Sequence, residues 1–486
     1  ESRDHRQYYP QPGWVEHDPE EIWQNTLAVL RTVVARHPDK LADISCLSLT
    51  NQRETIVVFD RATGRALHPA IVWQCRRGDA LCAAHAAAGR ASLIHARTGL
   101  TLDAYFSASK LQWLVQNRPE LRAKLTAGDA LIGTIDTYLV YRLTGGRVFA
   151  TDSTNASRTL LFDITRLCWD EKLCAFWEVP RAALADVRDC SAHFGETTLE
   201  GALARPLPIC GVIGDSQASL FAQQCFEAGS AKATFGTGTS VLLNLGANPR
   251  ISSGGVLTAL AWTHDRQPTY AFEGIITFSA ATLTWLRDQL GLIKDVRETE
   301  SLARAVDDNG GVYLVPAFSG LGAPHWSEAA RAAIVGLSAH SDRRHVVRAA
   351  LESIAYQLRD VLDAMHAESG VALRVLHGDG GATANAFLMQ FVADLTGVEL
   401  SVATNPDFSP LGAALMGLLG CGLVPSVSAL TNLPRVQNVY RPTMEKHRVQ
   451  SLYAGWQQAV GQVLPLAPPR QGAGDATPGG SAVFRS

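Results

Sequence analysis

Short apolar runs alternate along this chain with longer stretches in which apolar residues recur every three to four positions. The runs at residues 44–49, 55–59, 130–132, 208–213, 231–235, 312–316, 371–376 and 399–402 have the length of strands. Between them, residues 19–36, 108–117, 281–290, 345–366 and 384–395 carry the helical period. Such alternation predicts an α/β architecture with mixed or parallel sheets. Glycine-rich turns follow strands in the second half, at Gly236-Thr237-Gly238, Gly320-Leu321-Gly322 and Gly378-Asp379-Gly380-Gly381. No tandem repeat of about 20–50 residues interrupts the pattern. A polar, glycine-containing stretch at residues 222–230 sets a boundary. The expected division is a first domain over residues 1–224, a second over 225–463, and a disordered tail over 464–486, where Pro, Gly, Ala and Ser leave little to bury.

Length supports that division, because 486 residues exceed the roughly 100–200 of a typical domain and large α/β units favour two. A net charge of -3 with no basic block argues against a nucleic-acid partner. The nine cysteines are scattered without a C-x-x-C pair and read as reduced thiols, which points to the cytoplasm. No apolar segment reaches the roughly 18–20 residues of a membrane span, and the polar start is unlike a signal peptide. Glu1 is not an initiator methionine and no obvious strand opens the chain, so a preceding segment is expected to have been removed or left out. The hydrophobic pattern singles out no interface, which leaves a homo-oligomer open.

The most informative candidate site is Gly214-Asp215-Ser216-Gln217, between the apolar run 209–213 and a helix-like segment. An ionised carboxylate avoids full burial without a partner. Asp215 at the end of a buried strand therefore suggests a cleft, with Gly214 letting a ligand come close. Two roles fit it: a general base that takes a proton from a small hydroxylated substrate, and an N-cap of the following helix. Gly236-Thr237-Gly238-Thr239-Ser240 follows a strand, where backbone N–H groups can converge on a phosphate; a strand-to-hairpin turn uses the same residues. Gly378-Asp379-Gly380-Gly381-Ala382 opens a helix and offers an anion the positive end of its dipole, or is a tight β-to-α turn. In Asn51-Gln52-Arg53-Glu54-Thr55, Arg53 and Glu54 can grip vicinal hydroxyls. A plain hairpin turn there would favour Gly, Asn and Asp. Trp73 and Tyr105 can wall the apolar side of the same pocket or belong to the core. The sequence contains no Walker A loop, dinucleotide fingerprint, H-E-x-x-H, G-x-S-x-G or H-R-D motif.

Further motifs join these: Pro12-Gly13-Trp14-Val15-Glu16-His17-Asp18, Ile71-Val72-Trp73-Gln74-Cys75-Arg76-Arg77, Thr151-Asp152-Ser153-Thr154-Asn155-Ala156-Ser157-Arg158, and Pro316-Ala317-Phe318-Ser319-Gly320-Leu321-Gly322-Ala323-Pro324-His325-Trp326. Together they resemble the glycerol kinases, a branch of the FGGY carbohydrate kinase family. Residues 105–117 fit the first signature of the wider family and residues 332–352 the second. The likeness spans nearly the whole chain.

The resemblance implies two domains of the actin-like ATPase (ribonuclease H-like) fold with the active site in the cleft between them. It implies ATP-dependent phosphorylation of a terminal hydroxyl of a small polyol, glycerol to glycerol 3-phosphate being the first choice. A longer polyol or sugar of four to five carbons, or a non-catalytic nucleotide- or polyol-binding relative, is the alternative. By the same likeness Asp215 is the general base and a metal ligand, while Arg53, Glu54 and Tyr105 bind polyol hydroxyls. Trp73 lines the pocket, and Ser216 and Ser240 touch the polyol. Gly236, Thr237 and Gly238 belong with the phosphates, and Ala280, Thr284, Gly381 and Asn385 lie near the nucleotide. Mg²⁺ would bridge phosphate oxygens and take only a carboxylate or two from the protein.

Three departures qualify the match. The strand and Asp-x-Gly-Thr loop that open family members are not in this sequence, so the first domain is expected to be N-terminally truncated and turnover impaired. Ser216 and Ser240 replace a usual Gln and Phe, which should widen the pocket and make it more polar. Ala280 and Thr284 replace a usual glycine and glutamine beside the nucleotide.

Overall fold

The computed structural model describes residues 1–404 and 408–465, so the expected tail lies outside the described residues from residue 466 onward. Among the described residues no helix is long and apolar enough to cross a membrane. In the first half, the strand Leu207–Gly214 is the middle of three, parallel to Leu47–Asn51 and antiparallel to His193–Thr197. The next strand after Leu47–Asn51, Ile56–Asp60, belongs to a separate five-stranded sheet, where it pairs antiparallel with Ala130–Thr134 and Ala70–Ile71. Gln52-Arg53-Glu54-Thr55 therefore carries the chain from one sheet to another and is not a hairpin turn. Glu54 makes the corner in the left-handed region at φ +63°, a conformation that costs a residue with a Cβ about 1–3 kcal/mol.

The second half is built on one mixed sheet of seven strands. Its order is Leu257–His264, Gln267–Ile276, Thr239–Gly246, Ser230–Phe235, Val375–Asp379, Leu400–Ala403, Gln437–Tyr440. Ser230–Phe235 runs parallel to Val375–Asp379, with Thr234 in register with Asp379, and antiparallel to Thr239–Gly246. The antiparallel run from Thr239 to Ile276 lies outside the expected strands. The strand expected at 371–376 starts later and continues through Asp379, so the second glycine turn begins only at Gly380, whose φ is +96°.

Two short helices join the halves. Asp215–Ala222 leaves the end of the central strand of the first half, and Phe408–Gly420 packs on it and on the strands Leu47–Asn51 and Leu207–Gly214. Close approach requires glycine. A Cβ on Gly412 would lie 1.9 Å from the Ala218 carbonyl oxygen, and one on Gly417 would lie 2.0 Å from Ser48 Oγ. Strand ends from both halves thereby face each other across a cleft.

Candidate active site

Asp215 occupies the first helical position after Gly214, and its side chain makes no capping bond to the next turn. Its carboxylate Oδ1 accepts only from the adjacent Ser216 N–H, at 2.7 Å. The side chain is 44% exposed and forms an ion pair with Arg53 Nε at 3.1 Å. Gly214 serves a different purpose from the one expected. A Cβ there would lie 2.7 Å from Arg53 Cδ, so the missing side chain makes room for the arginine stem and not for a ligand.

Arg53 and Glu54, neighbours in sequence, do not pair with each other. Arg53 donates to Glu273 Oε1 and to Gln217 Oε1, each at 3.1 Å. Glu54 accepts from Arg158 Nε at 2.6 Å, and Arg158 Nη1 pairs with Glu273 Oε2 at 2.5 Å. The result is an alternating row, Asp215–Arg53–Glu273–Arg158–Glu54, buried except at the Asp215 end. Burial alone would push Glu273 up, but Arg158 and Arg53 hold its carboxyl down at about 2. At Glu54 burial prevails over the same two arginines and raises the carboxyl above its ordinary value. Burial also raises the Tyr105 phenol, with Glu54 adding to the effect, so Tyr105 faces the cleft as a neutral hydroxyl.

The loop that presents Tyr105 is clamped from below. Lys110 Nζ, itself fully buried, donates to the carbonyls of Ala104, Tyr105 and Phe106 at 2.5, 2.7 and 3.0 Å. The Tyr105 ring lies 5.3 Å from Trp73 at 59°. Both line a cavity of about 720 Å³ together with Arg53, Glu54, Asp215, Ser216 and Ser240. Ser216 Oγ and Ser240 Oγ approach to 3.4 Å from opposite halves of the chain. Trp326 also lines the cavity. A separate cavity of about 860 Å³ near Tyr8, His17 and His68 contains none of these residues.

Gly236, Thr237 and Gly238 line the same cleft at its second-half wall and form the tight hairpin between Ser230–Phe235 and Thr239–Gly246. Gly236 N–H donates to the Gly238 carbonyl at 2.9 Å, and the carbonyls of Gly236 and Thr237 accept from Ser279, Ala280 and Ala281. The N–H groups of Thr237 and Gly238 have no partner among the described residues. Gly380 is pressed onto this strand end, since a Cβ there would lie 2.5 Å from the Phe235 carbonyl oxygen. The two glycine loops are thus neighbours.

Four expected nucleotide residues lie away from the cavity lining. Ala280 and Thr284 lie at the start of the helix Ala281–Asp288 and within it, behind the Thr237 hairpin. Gly381 starts a single 3₁₀ turn. Asn385 caps the helix Ala386–Thr396, accepting from Leu388 N at 2.9 Å and donating to Thr299 Oγ1 at 3.2 Å. Glu273, Arg158, Gln217 and Lys110 went unassigned in the sequence. Glu273 did leave a signal there, a lone acid in the apolar strand Gln267–Ile276.

Two sheet-centred halves set a half-exposed aspartate on one wall of the cleft and, on the other, backbone donors without a partner among the described residues, an arrangement that fits a two-domain phosphotransferase. The FGGY family of carbohydrate kinases matches in both parts, its N-terminal domain over residues 1–222 and its C-terminal domain over residues 231–421. The chain belongs to this family. It is 46% identical over 458 residues to the glycerol kinase of Desulfitobacterium hafniense, covering 94% of this chain and 93% of that one. It is likewise 46% identical to the glycerol kinase of Carboxydothermus hydrogenoformans, over 93% of this chain and 91% of the other. Among solved structures, Plasmodium falciparum glycerol kinase with ADP superposes with a TM-score of 0.91 at 36% identity, covering 96% of this chain and 93% of that one. A xylulose kinase from Rhodospirillum rubrum shares the fold, with a TM-score of 0.82 at 23% identity over 95% and 93% of the two chains.

Proposed function

We propose that this protein transfers the γ-phosphoryl group of ATP to a terminal hydroxyl of glycerol, with Asp215 as general base. The observation that carries the reading is the Asp215 carboxylate, half exposed in the cleft and ion-paired with Arg53 at 3.1 Å, lining the same cavity as the N–H groups of Thr237 and Gly238, which have no partner among the described residues. Phosphoryl transfer asks mainly for positioning and charge neutralisation, plus one oriented base. Arg53, Glu54 and Tyr105 supply donors and acceptors for the polyol hydroxyls, and Trp73 covers the carbon chain. Thr237 and Gly238 offer backbone donors to the nucleotide phosphates. The cleft also suits Mg²⁺. Among the described residues there is no cluster of three or more His, Cys, Asp or Glu that could hold a metal ion, and Mg²⁺ in kinase sites takes most of its ligands from phosphates and water. Asp215 would be its protein ligand, and the ion would neutralise charge on the phosphate oxygens.

The Ser216–Ser240 approach supports a second reading, a polyol of four or five carbons. Two short hydroxyl side chains meet here at the junction of the halves and leave space and hydrogen-bonding capacity for a longer chain. Turnover on glycerol, erythritol and xylitol separates the two; no product from glycerol beside product from a longer polyol would reject the first. Asp215→Asn should leave polyol binding largely intact and lower turnover by about 10²-fold or more. Undiminished turnover would remove Asp215 from the role of base.

A further inference from the structure

Behind Asp215 lies a buried cation that this scheme leaves unused. Lys232 and Thr234 alternate on one face of the strand Ser230–Phe235, and Thr234 is in register with Asp379 on the neighbouring strand. Lys232 is 1% exposed, yet its ammonium has one hydrogen bond among the described residues, to Thr234 Oγ1 at 2.9 Å. An ammonium carries three donors, and a buried charge without adequate partners is costly. Asp379 does not take up the surplus: among the described residues no hydrogen bond or ion pair joins it to Lys232, and its Oδ2 accepts instead from Ser219 Oγ at 2.7 Å and Gln223 Nε2 at 3.0 Å. Those bonds tie the second half to the helix Asp215–Ala222 and its end.

Lys232 borders a cavity of about 180 Å³ with Asp215, Ser216, Thr234, Asp379 and Gly380. Asp215, Ser216 and Thr234 also line the larger polyol cleft, so the two spaces meet at the proposed base. Burial lowers the Lys232 ammonium below the ordinary lysine value, while Asp379 and Asp215 oppose that shift.

We propose that the small cavity receives the phosphoryl group in transit and that Lys232 is a phosphate-binding residue there, the two donors that have no partner among the described residues taking phosphoryl oxygens. This rests on the kinase reading above. In the transfer, the polyol oxygen forms a bond to the γ-phosphorus as the bond from phosphorus to the bridging oxygen breaks. The electron pair leaves with ADP, and the hydroxyl proton passes to Asp215. Lys232 exchanges no proton; it neutralises the oxygens of the moving group.

The test compares wild type with Lys232→Gln and Lys232→Arg. Removing one charged donor aimed at such a group should lower kcat by roughly 10²-fold, with glycerol affinity unchanged and partial recovery in K232R. The decisive readout is nucleotide affinity. K232Q should weaken binding of a non-hydrolysable ATP analogue at least tenfold while leaving ADP binding unchanged, a difference that a merely structural lysine would not produce. Equal effects on both nucleotides, or none, would overturn the proposal. If K232Q does not fold, Lys232→Met, which keeps the buried stem and removes the charge, gives the same comparison: weaker binding of the ATP analogue with ADP binding unchanged supports the proposal, and equal effects on both nucleotides overturn it. Wild-type protein that phosphorylates no polyol would instead sink the kinase reading itself.

Discussion

The Arg53 guanidinium donates through both terminal nitrogens to Glu273 Oε1, each at 3.1 Å, so a carboxylate of the second half holds an arginine of the first. The same guanidinium then meets Asp215 through Nε. Glu273 thereby sets the position of the proposed base without touching it.

Arg53→Met should leave Glu273 buried with Arg158 as its one remaining ion-pair partner among the described residues. Breaking a buried pair from one side costs about 3–5 kcal/mol, a loss that urea unfolding would measure. Arg53→Lys keeps the charge but not the planar fork that serves several partners at once. It should recover part of the stability and little of the polyol affinity. A wild-type KM in R53K would show that the fork geometry is immaterial.

Glycines in two helices should respond in opposite directions. At Gly412 a methyl group would meet the Ala218 carbonyl, so Gly412→Ala must push apart the helices that join the halves, costing about 1–3 kcal/mol or more. At Gly461, in the helix Lys446–Val463, a Cβ meets nothing within 4 Å. Gly461→Ala should therefore stabilise by about 0.5–1 kcal/mol through the better helix propensity of alanine. Thermal unfolding of the two variants checks both signs, and equal shifts would refute the packing argument.

How far the sequence disclosed this arrangement depended on the range of the interaction. Strands such as Leu207–Gly214 and Ser230–Phe235 were legible because apolar runs and their flanking turns are local signals. Asp215, Tyr105, Trp73 and the Thr237 turn were singled out, and they do line one cleft. The Arg53–Glu273 bond spans 220 positions and leaves no periodic trace. At Arg53 and Glu54 adjacency in the sequence does not disclose the partners, because the left-handed turn at Glu54 directs the two side chains to different ones. The helix Phe408–Gly420 was hidden for another reason. Gly412, Gly417 and Gly420 are poor helix formers, required here by backbone contacts on three sides.

Acid should weaken the fold between two defined limits. Burial holds His17 at about 4, with nearby His5 adding to the effect, and burial likewise holds His377 at about 4, helped by Arg435. Both lie below the ordinary histidine value of 6.5. The unfolded chain therefore binds more protons across that interval, and stability is lost as pH falls from 6.5 towards 4. The double variant His17→Gln, His377→Gln should lose less stability than wild type over the same span. Parallel melting curves for the two proteins would contradict this.

Lys110 offers the most direct control of Tyr105. Its ammonium matches three donors to the three carbonyls of residues 104–106, and these fix the backbone from which the tyrosine reaches the cleft. Lys110→Met leaves those carbonyls without their donor, so the polyol KM should rise more than kcat falls, because the loop contributes to binding rather than to chemistry. The pH dependence follows from the same geometry. Burial lowers Lys110 from 10.5 to about 8, so below that pH all three donors are present, and above it the neutral amine has only two. In wild type the polyol KM should rise as pH increases through about 8. In K110M it should already be high and show no step there. A wild-type profile flat across pH 8, or a variant that kept the step, would mean that Lys110 does not govern how Tyr105 is presented.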